Sequence, residues 1–123
     1  MKLKMHEIRI TPSILNADME NLDAEIAKIA PVSDLLHLDI MDNRFVPNKT
    51  WDFTAAEKII RNSPIPVDAH LMIEDPDTQA PKYAEIGCNS VTIHFEASTN
   101  AKQTLRNIRL AGARAAIALK PAT

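Results

Sequence analysis

Glycine is scarce, with only 2 among 123 residues against 8 prolines. Neither belongs to a phosphate-cradling glycine loop. Gly87 follows Ile86 and Gly112 follows Ala111, just past two expected helix ends, where a left-handed residue closes a helix at little cost. A single cysteine, Cys88, excludes an internal disulfide and makes a reducing interior the simpler setting. Positive charge has no excess: 14 Lys plus Arg stand against 16 Asp plus Glu, a net charge of -2 with no basic run. That balance offers no electrostatic footprint for nucleic acid and none for an anionic membrane. Long apolar runs are missing as well. No segment reaches the ~18 residues of a membrane span, and Met1 to Glu7 carries early charge without an apolar stretch of signal-peptide length. The chain therefore reads as cytoplasmic.

What is present is ordinary globular composition, 46% hydrophobic and 24% charged. The length suits one domain, residues 1–123, by the prior of ~100 to 200 residues per domain. Two patterns alternate along it. Short apolar or β-branched runs at Ile8 to Leu15, Leu35 to Met41, Val67 to Ile73, Ser90 to Phe95 and Ala113 to Leu119 read as strands. Between them lie four stretches of helical spacing. Met19, Leu22, Ile26 and Ile29 follow an Asp18 cap, and Asp52 or Thr54 opens a helix carrying Ala56 and Ile60. Asp75-Pro76 places a cap before a first-turn proline and leads into Ala80 and Tyr83. Ser98 or Thr99 is the expected cap of the fourth helix, with Leu105 and Ile108 on its buried face.

Five strands alternating with four helices imply a parallel sheet built from βα units. Length alone favours a small doubly wound sheet over a (β/α)8 barrel, which needs ~200 residues. The strand faces point the other way. His37, Asp39 and Met41 share one face while Leu36, Leu38 and Ile40 share the other. Asp68, His70 and Met72 oppose Val67, Ala69 and Leu71, and Thr92, His94 and Glu96 oppose Val91, Ile93 and Phe95. A sheet covered by helices on both sides should be hydrophobic throughout. One repeatedly polar face instead suits a barrel interior opening toward an active site.

Each polar residue also has a plain role. A lone strand histidine such as His37 is commonly a hydrogen-bonded core residue. Asp39, flanked by Leu38 and Ile40, is costly to bury unless paired or metal-bound, and His37 and His70 could complete such a cluster. Two imidazoles and one carboxylate suit Zn, Fe, Mn or Co better than Mg or Ca. Met41 and Met72 are gap-fillers or a soft wall that excludes water. Asp42 reads as a turn residue before Asn43, Cys88 as a packing residue, and Asp68, His94 and Glu96 as side chains that bond one another or the backbone.

Three segments carry a resemblance: Pro12-Ser13-Ile14-Leu15-Asn16-Ala17-Asp18, His37-Leu38-Asp39-Ile40-Met41-Asp42-Asn43-Arg44-Phe45-Val46-Pro47-Asn48 and Asp68-Ala69-His70-Leu71-Met72-Ile73. Thr92-Ile93-His94-Phe95-Glu96-Ala97 and Leu119-Lys120-Pro121-Ala122-Thr123 extend it in order. From about Ile8 to Thr123 the chain resembles the ribulose-phosphate 3-epimerase family. The resemblance implies a ribulose-phosphate-binding (β/α)8 TIM barrel that interconverts D-ribulose 5-phosphate and D-xylulose 5-phosphate in the pentose phosphate pathway. It implies one divalent metal ion (Zn, Fe, Mn or Co) on His37, Asp39 and His70, with Asp39 also a proton-transferring carboxylate. It further implies substrate contacts from Ser13, His70, Met41 and Met72.

Two departures are small: Asn43 stands where the family usually has glycine, and Ala122 replaces the glycine of a Pro-Gly-Thr turn. The third is larger. Family members continue through three more strands, which bear the second catalytic aspartate and the glycine-rich phosphate loops. The expectation is thus an incomplete barrel of about five strands and four helices, with little or no epimerase activity in these 123 residues alone. Association as a homo-oligomer or through open barrel edges is expected too. The alternatives are an epimerase of another ketose phosphate, such as allulose 6-phosphate, and a non-catalytic fragment that binds metal or a partner chain.

Overall fold

A computed structural model describes residues 8–123. Met1 to Glu7, read above for its lack of a signal-like stretch, lies outside the described residues, so the single-domain reading of 1–123 is followed from Ile8 onward. Four parallel strands, β1 (Leu36–Met41), β2 (Val67–Met72), β3 (Ser90–His94) and β4 (Arg114–Ala118), lie in the order of the chain. Helices α1 (Leu22–Ile29), α2 (Phe53–Asn62), α3 (Pro76–Glu85) and α4 (Ala101–Leu110) alternate with them. A doubly wound sheet reverses its strand order at a switch point, and this one does not. Uninterrupted sequential order is that of a partial (β/α) barrel.

The two-face reading of the strands holds in the packing. Leu36, Leu38, Val67, Ala69, Leu71, Val91 and Ile93 are buried against Ile26, Ala56, Ile60, Ala80, Tyr83 and Ile108 of the helices. Burial of a Leu, Ile or Val side chain is worth about 1.5–3 kcal/mol, so this layer holds the strands in register. The register sets His37 beside Asp68, Asp39 beside His70 and Met41 beside Met72. On the other side of β2, His70 stands beside Thr92.

Four local expectations differ from what forms. The run from Ile8 to Leu15 is extended beside β1 but makes one isolated parallel bridge, Ser13 to His37, instead of a full strand. Its carbonyls are used, Ile10 O accepting from Asp34 N at 2.8 Å and Pro12 O from His37 N at 2.9 Å. Pro12 has no N–H to return, which interrupts the ladder. Phe95 is 51% exposed because β3 ends at His94 and a single 3-10 turn, Phe95–Ala97, follows. Asp18 caps a 3-10 turn, Met19–Asn21, that leads into α1 rather than α1 itself. The cap of α4 is Asn100, not Ser98 or Thr99. Both of those bond the Asp77 carboxylate at the start of α3, and Thr104 Oγ1 donates to it as well at 2.6 Å. Asp52 and Asp75 cap α2 and α3 as read from the sequence, and Gly87 and Gly112 take φ of 112° and 102° past α3 and α4. No helix among the described residues is long and apolar enough to cross a membrane.

Candidate functional site

The polar face of the sheet carries its chemistry where β1 and β2 approach their carboxyl ends. Thr50 secures the end of β1: its hydroxyl donates to Asp39 O at 2.7 Å and accepts from Met41 N at 2.9 Å. Asp42, a turn residue as expected, accepts from Arg44 N and Phe45 N through Oδ1 and from Glu74 N through Oδ2. That last bond ties the loop after β1 to the loop after β2. Asn43 takes a positive φ of 59°, a backbone that Asn adopts more readily than most residues.

His37, Asp39 and His70 converge, each offering one ligand atom, all within 4.8 Å of one another. Asp39 is only 8% exposed, and its oxygens are all engaged. Oδ1 lies 3.1 Å from His37 Nε2 and 3.4 Å from His70 Nδ1, while Oδ2 accepts from Ser13 Oγ at 2.7 Å. Burial pushes this carboxyl up, but the bonds from His37, His70 and Ser13 together outweigh it and hold Asp39 well below the usual carboxylate range. His37 is pulled the other way. Its bonds to Asp39 and then Asp68 exceed the desolvation penalty and raise it to about 9.

Asp68 acts from the neighbouring strand, its Oδ2 lying 2.8 Å from His37 Nδ1 while Oδ1 accepts from Ser90 Oγ at 2.6 Å. Burial opposes the ionised form of Asp68, and these bonds nonetheless lower it. His70 turns its second nitrogen toward β3, Nε2 lying 2.8 Å from His94 Nε2, and His94 Nδ1 lies 3.1 Å from Glu96 Oε1. The bond from Thr123, with those from Lys120 N and His94, outweighs the desolvation cost and lowers Glu96 to about 2. Met41 and Met72 stand side by side two residues beyond Asp39 and His70, toward the carboxyl ends.

The structure thus brings His37, Asp39, His70 and Ser13 into one hydrogen-bonded cluster, with both methionines at its rim. Ser13, expected to touch substrate, donates its hydroxyl to Asp39. Thr50 and Ser90 were not singled out in the sequence, and Asp68, His94 and Glu96 were read there as local bonding groups. Alternation on the polar face was the one legible signal for Asp68, Ser90, His94 and Glu96, and Thr50, in the loop after β1, had none. The donor set fits a transition-metal ion: two imidazoles and a carboxylate meet, and His37 keeps its outer nitrogen on a carboxylate, as ligating histidines commonly do.

The ribulose-phosphate 3 epimerase family matches residues 9–123. A protein of Mycobacterium leprae named ribulose-phosphate 3-epimerase is 47% identical over 114 residues, 93% of this chain and 50% of that protein. Ribulose-phosphate 3-epimerase 1 of Cupriavidus necator is 43% identical over 117 residues, 94% of this chain and 48% of the relative. A ribulose-phosphate 3-epimerase of Aquifex aeolicus is 39% identical over 115 residues, covering 93% and 52%. The chain spans about half the length of the curated relatives it matches.

Proposed function

This chain belongs to the ribulose-phosphate 3-epimerase family, and from that premise we propose that it supplies the metal-binding, proton-abstracting part of an epimerase barrel. The reaction is epimerisation at C3, interconverting D-ribulose 5-phosphate and D-xylulose 5-phosphate in the pentose phosphate pathway. The observation that carries the reading is the convergence of His37, Asp39 and His70 from two adjacent strands of a chain matched to the family over residues 9–123.

His37 Nε2, an Asp39 carboxylate oxygen and His70 Nδ1 are the atoms that would hold one divalent ion, Zn, Fe, Mn or Co. When bound, it supplies Lewis-acid stabilisation of the negative charge that develops when the carbon beside a carbonyl loses its proton. Asp39 is the base. Its carboxylate takes the C3 proton, the C3–H electron pair moves toward the C2 carbonyl, and an enediolate results. Ser13 and the two histidines orient that carboxylate, and Met41 and Met72 present an apolar rim that keeps water from the exposed carbanion face. Inversion then needs a second acid on the opposite face to return a proton. The reading is of a cytoplasmic enzyme acting on a ketose phosphate.

A chimera tests this. Residues 9–123 replace the matching half of the M. leprae relative, and the product is assayed with D-ribulose 5-phosphate. Turnover is expected, falling by about a hundredfold or more with Asp39→Asn. Preferential turnover of allulose 6-phosphate would assign a different ketose phosphate. A folded, metal-binding chimera that turns over neither sugar contradicts the proposal.

A further inference from the structure

We infer that His94 and Glu96 are positioning residues that fix the ring orientation and tautomer of His70, so that its Nδ1 is left bare for the ion that His37 and Asp39 would share with it. This rests on the metal reading above and deepens it.

Four side chains form one line across three strands. Asp39 Oδ1 is 3.4 Å from His70 Nδ1, His70 Nε2 is 2.8 Å from His94 Nε2, and His94 Nδ1 is 3.1 Å from Glu96 Oε1. Two imidazole nitrogens at 2.8 Å need one proton between them, so one donates and the other accepts. Both ends of the line are carboxylates, and an ion held on His70 Nδ1 would decide which: that nitrogen must then be bare, so Nε2 carries the ring proton. An ionised carboxylate can only accept, so Glu96 Oε1 takes the Nδ1–H of His94. A neutral His94 then has a bare Nε2, which accepts the Nε2–H of His70. A neutral His70 in turn has its bare nitrogen at Nδ1, on the side of Asp39, where a metal ligand needs it. The opposite direction would place the proton on Nδ1 and remove the ligand.

The anchor is itself held. Glu96 Oε2 accepts from Lys120 N at 2.8 Å and from the Thr123 hydroxyl, so the carboxylate cannot rotate freely away from His94. The His70 and His94 rings meet edge to edge, within 18° of one plane and with centroids 5.0 Å apart, and the Phe45 ring lies 5.1 Å from that of His94. On the other side of the cluster Asp68 treats His37 likewise, leaving Nε2 free of the outer bond. Both proposed histidine ligands are therefore oriented by a carboxylate, one directly and one through an intervening imidazole.

The test is Co(II) titration of the full 123-residue chain, read by equilibrium dialysis and by the visible absorption of the bound ion. Four variants are compared: His70→Ala, His94→Leu, His94→Gln and Glu96→Ala. Expected are loss of binding in His70→Ala and about ten- to a hundredfold weaker binding, with an altered visible spectrum, in His94→Leu and Glu96→Ala. His94→Gln, whose amide oxygen can still accept from His70, should recover most of the affinity. Glu96 lies in an exposed turn, so its variant reports on metal binding in a folded chain. Wild-type affinity in His94→Leu and Glu96→Ala, with binding lost in His70→Ala, overturns the inference and leaves the metal reading standing. His94→Gln as weak as His94→Leu overturns the acceptor role. Unchanged binding in His70→Ala overturns the metal reading and this inference with it.

Discussion

His37 Nδ1 lies 2.8 Å from Asp68 Oδ2, across a register that sets the two residues side by side on β1 and β2. The pair directs the other ring nitrogen, Nε2, at Asp39. Replacing Asp68 by Ala removes the carboxylate that orients the ring and raises its basicity as a ligand. Divalent-metal affinity measured by calorimetric titration is expected to fall about ten- to a hundredfold, with Asp68→Asn intermediate because its amide oxygen still accepts. Equal affinity in all three proteins would remove Asp68 from the site.

Asp77 is expected to matter for stability and not for metal. Its carboxylate gathers Ser98, Thr99 and the buried Thr104, joining the start of α3 to α4 and the loop before it. Asp77→Ala strands the Thr104 hydroxyl, at a cost of about 1–3 kcal/mol in urea unfolding. Acid should show the same bond network. Desolvation opposes the ionised form, yet the bonds from Ser98, Thr104 and Thr99 hold Asp77 well below its ordinary 3.8. Its contribution is therefore complete above that pH and is lost as pH falls toward the lower folded value. The wild type should lose stability more steeply than Asp77→Ala below pH 3.8, and parallel acid profiles would contradict this.

Asn43 tests backbone strain in the loop after β1. With φ at 59°, Asn43→Ala should destabilise the chain by about 1 kcal/mol in thermal or urea unfolding, whereas Asn43→Gly should be neutral or slightly stabilising. Ala and Gly variants of equal stability would show that the positive φ carries no cost.

Association is expected along the open side of the sheet. β4 has no strand on its far edge among the described residues, and Ile8, Ile10, Ile117 and Leu119 are exposed. Sedimentation across a concentration series should show self-association, reduced by Ile117→Lys on that strand. A monodisperse monomer at every concentration would contradict it.

Much of this was legible in the sequence for a simple reason. Strand side chains alternate with period two, so His37, Asp39 and Met41 declare their common face without any knowledge of the fold. The apolar positions Leu36, Leu38 and Ile40 declare theirs equally. What escaped depends on partners distant in the chain. Ser98 and Thr99 carry good capping side chains, but Asp77, 21 and 22 residues earlier, captures them and leaves the cap to Asn100. His94 meets His70 across 24 residues, and Glu96 is held by a turn 24 to 27 residues later, so their alignment exists only once β2, β3 and β4 are paired. The first run, Ile8 to Leu15, has strand composition, yet the missing N–H of Pro12 leaves it a single bridge.

The central claim is that His37, Asp39 and His70 form one divalent-metal site, and metal stoichiometry tests it most directly. The purified chain is loaded with Zn(II), freed of excess by dialysis and analysed for metal beside His37→Ala and His70→Ala. About one ion per wild-type chain and a marked loss in each variant is the expected result. Unchanged metal content in both variants would contradict the claim.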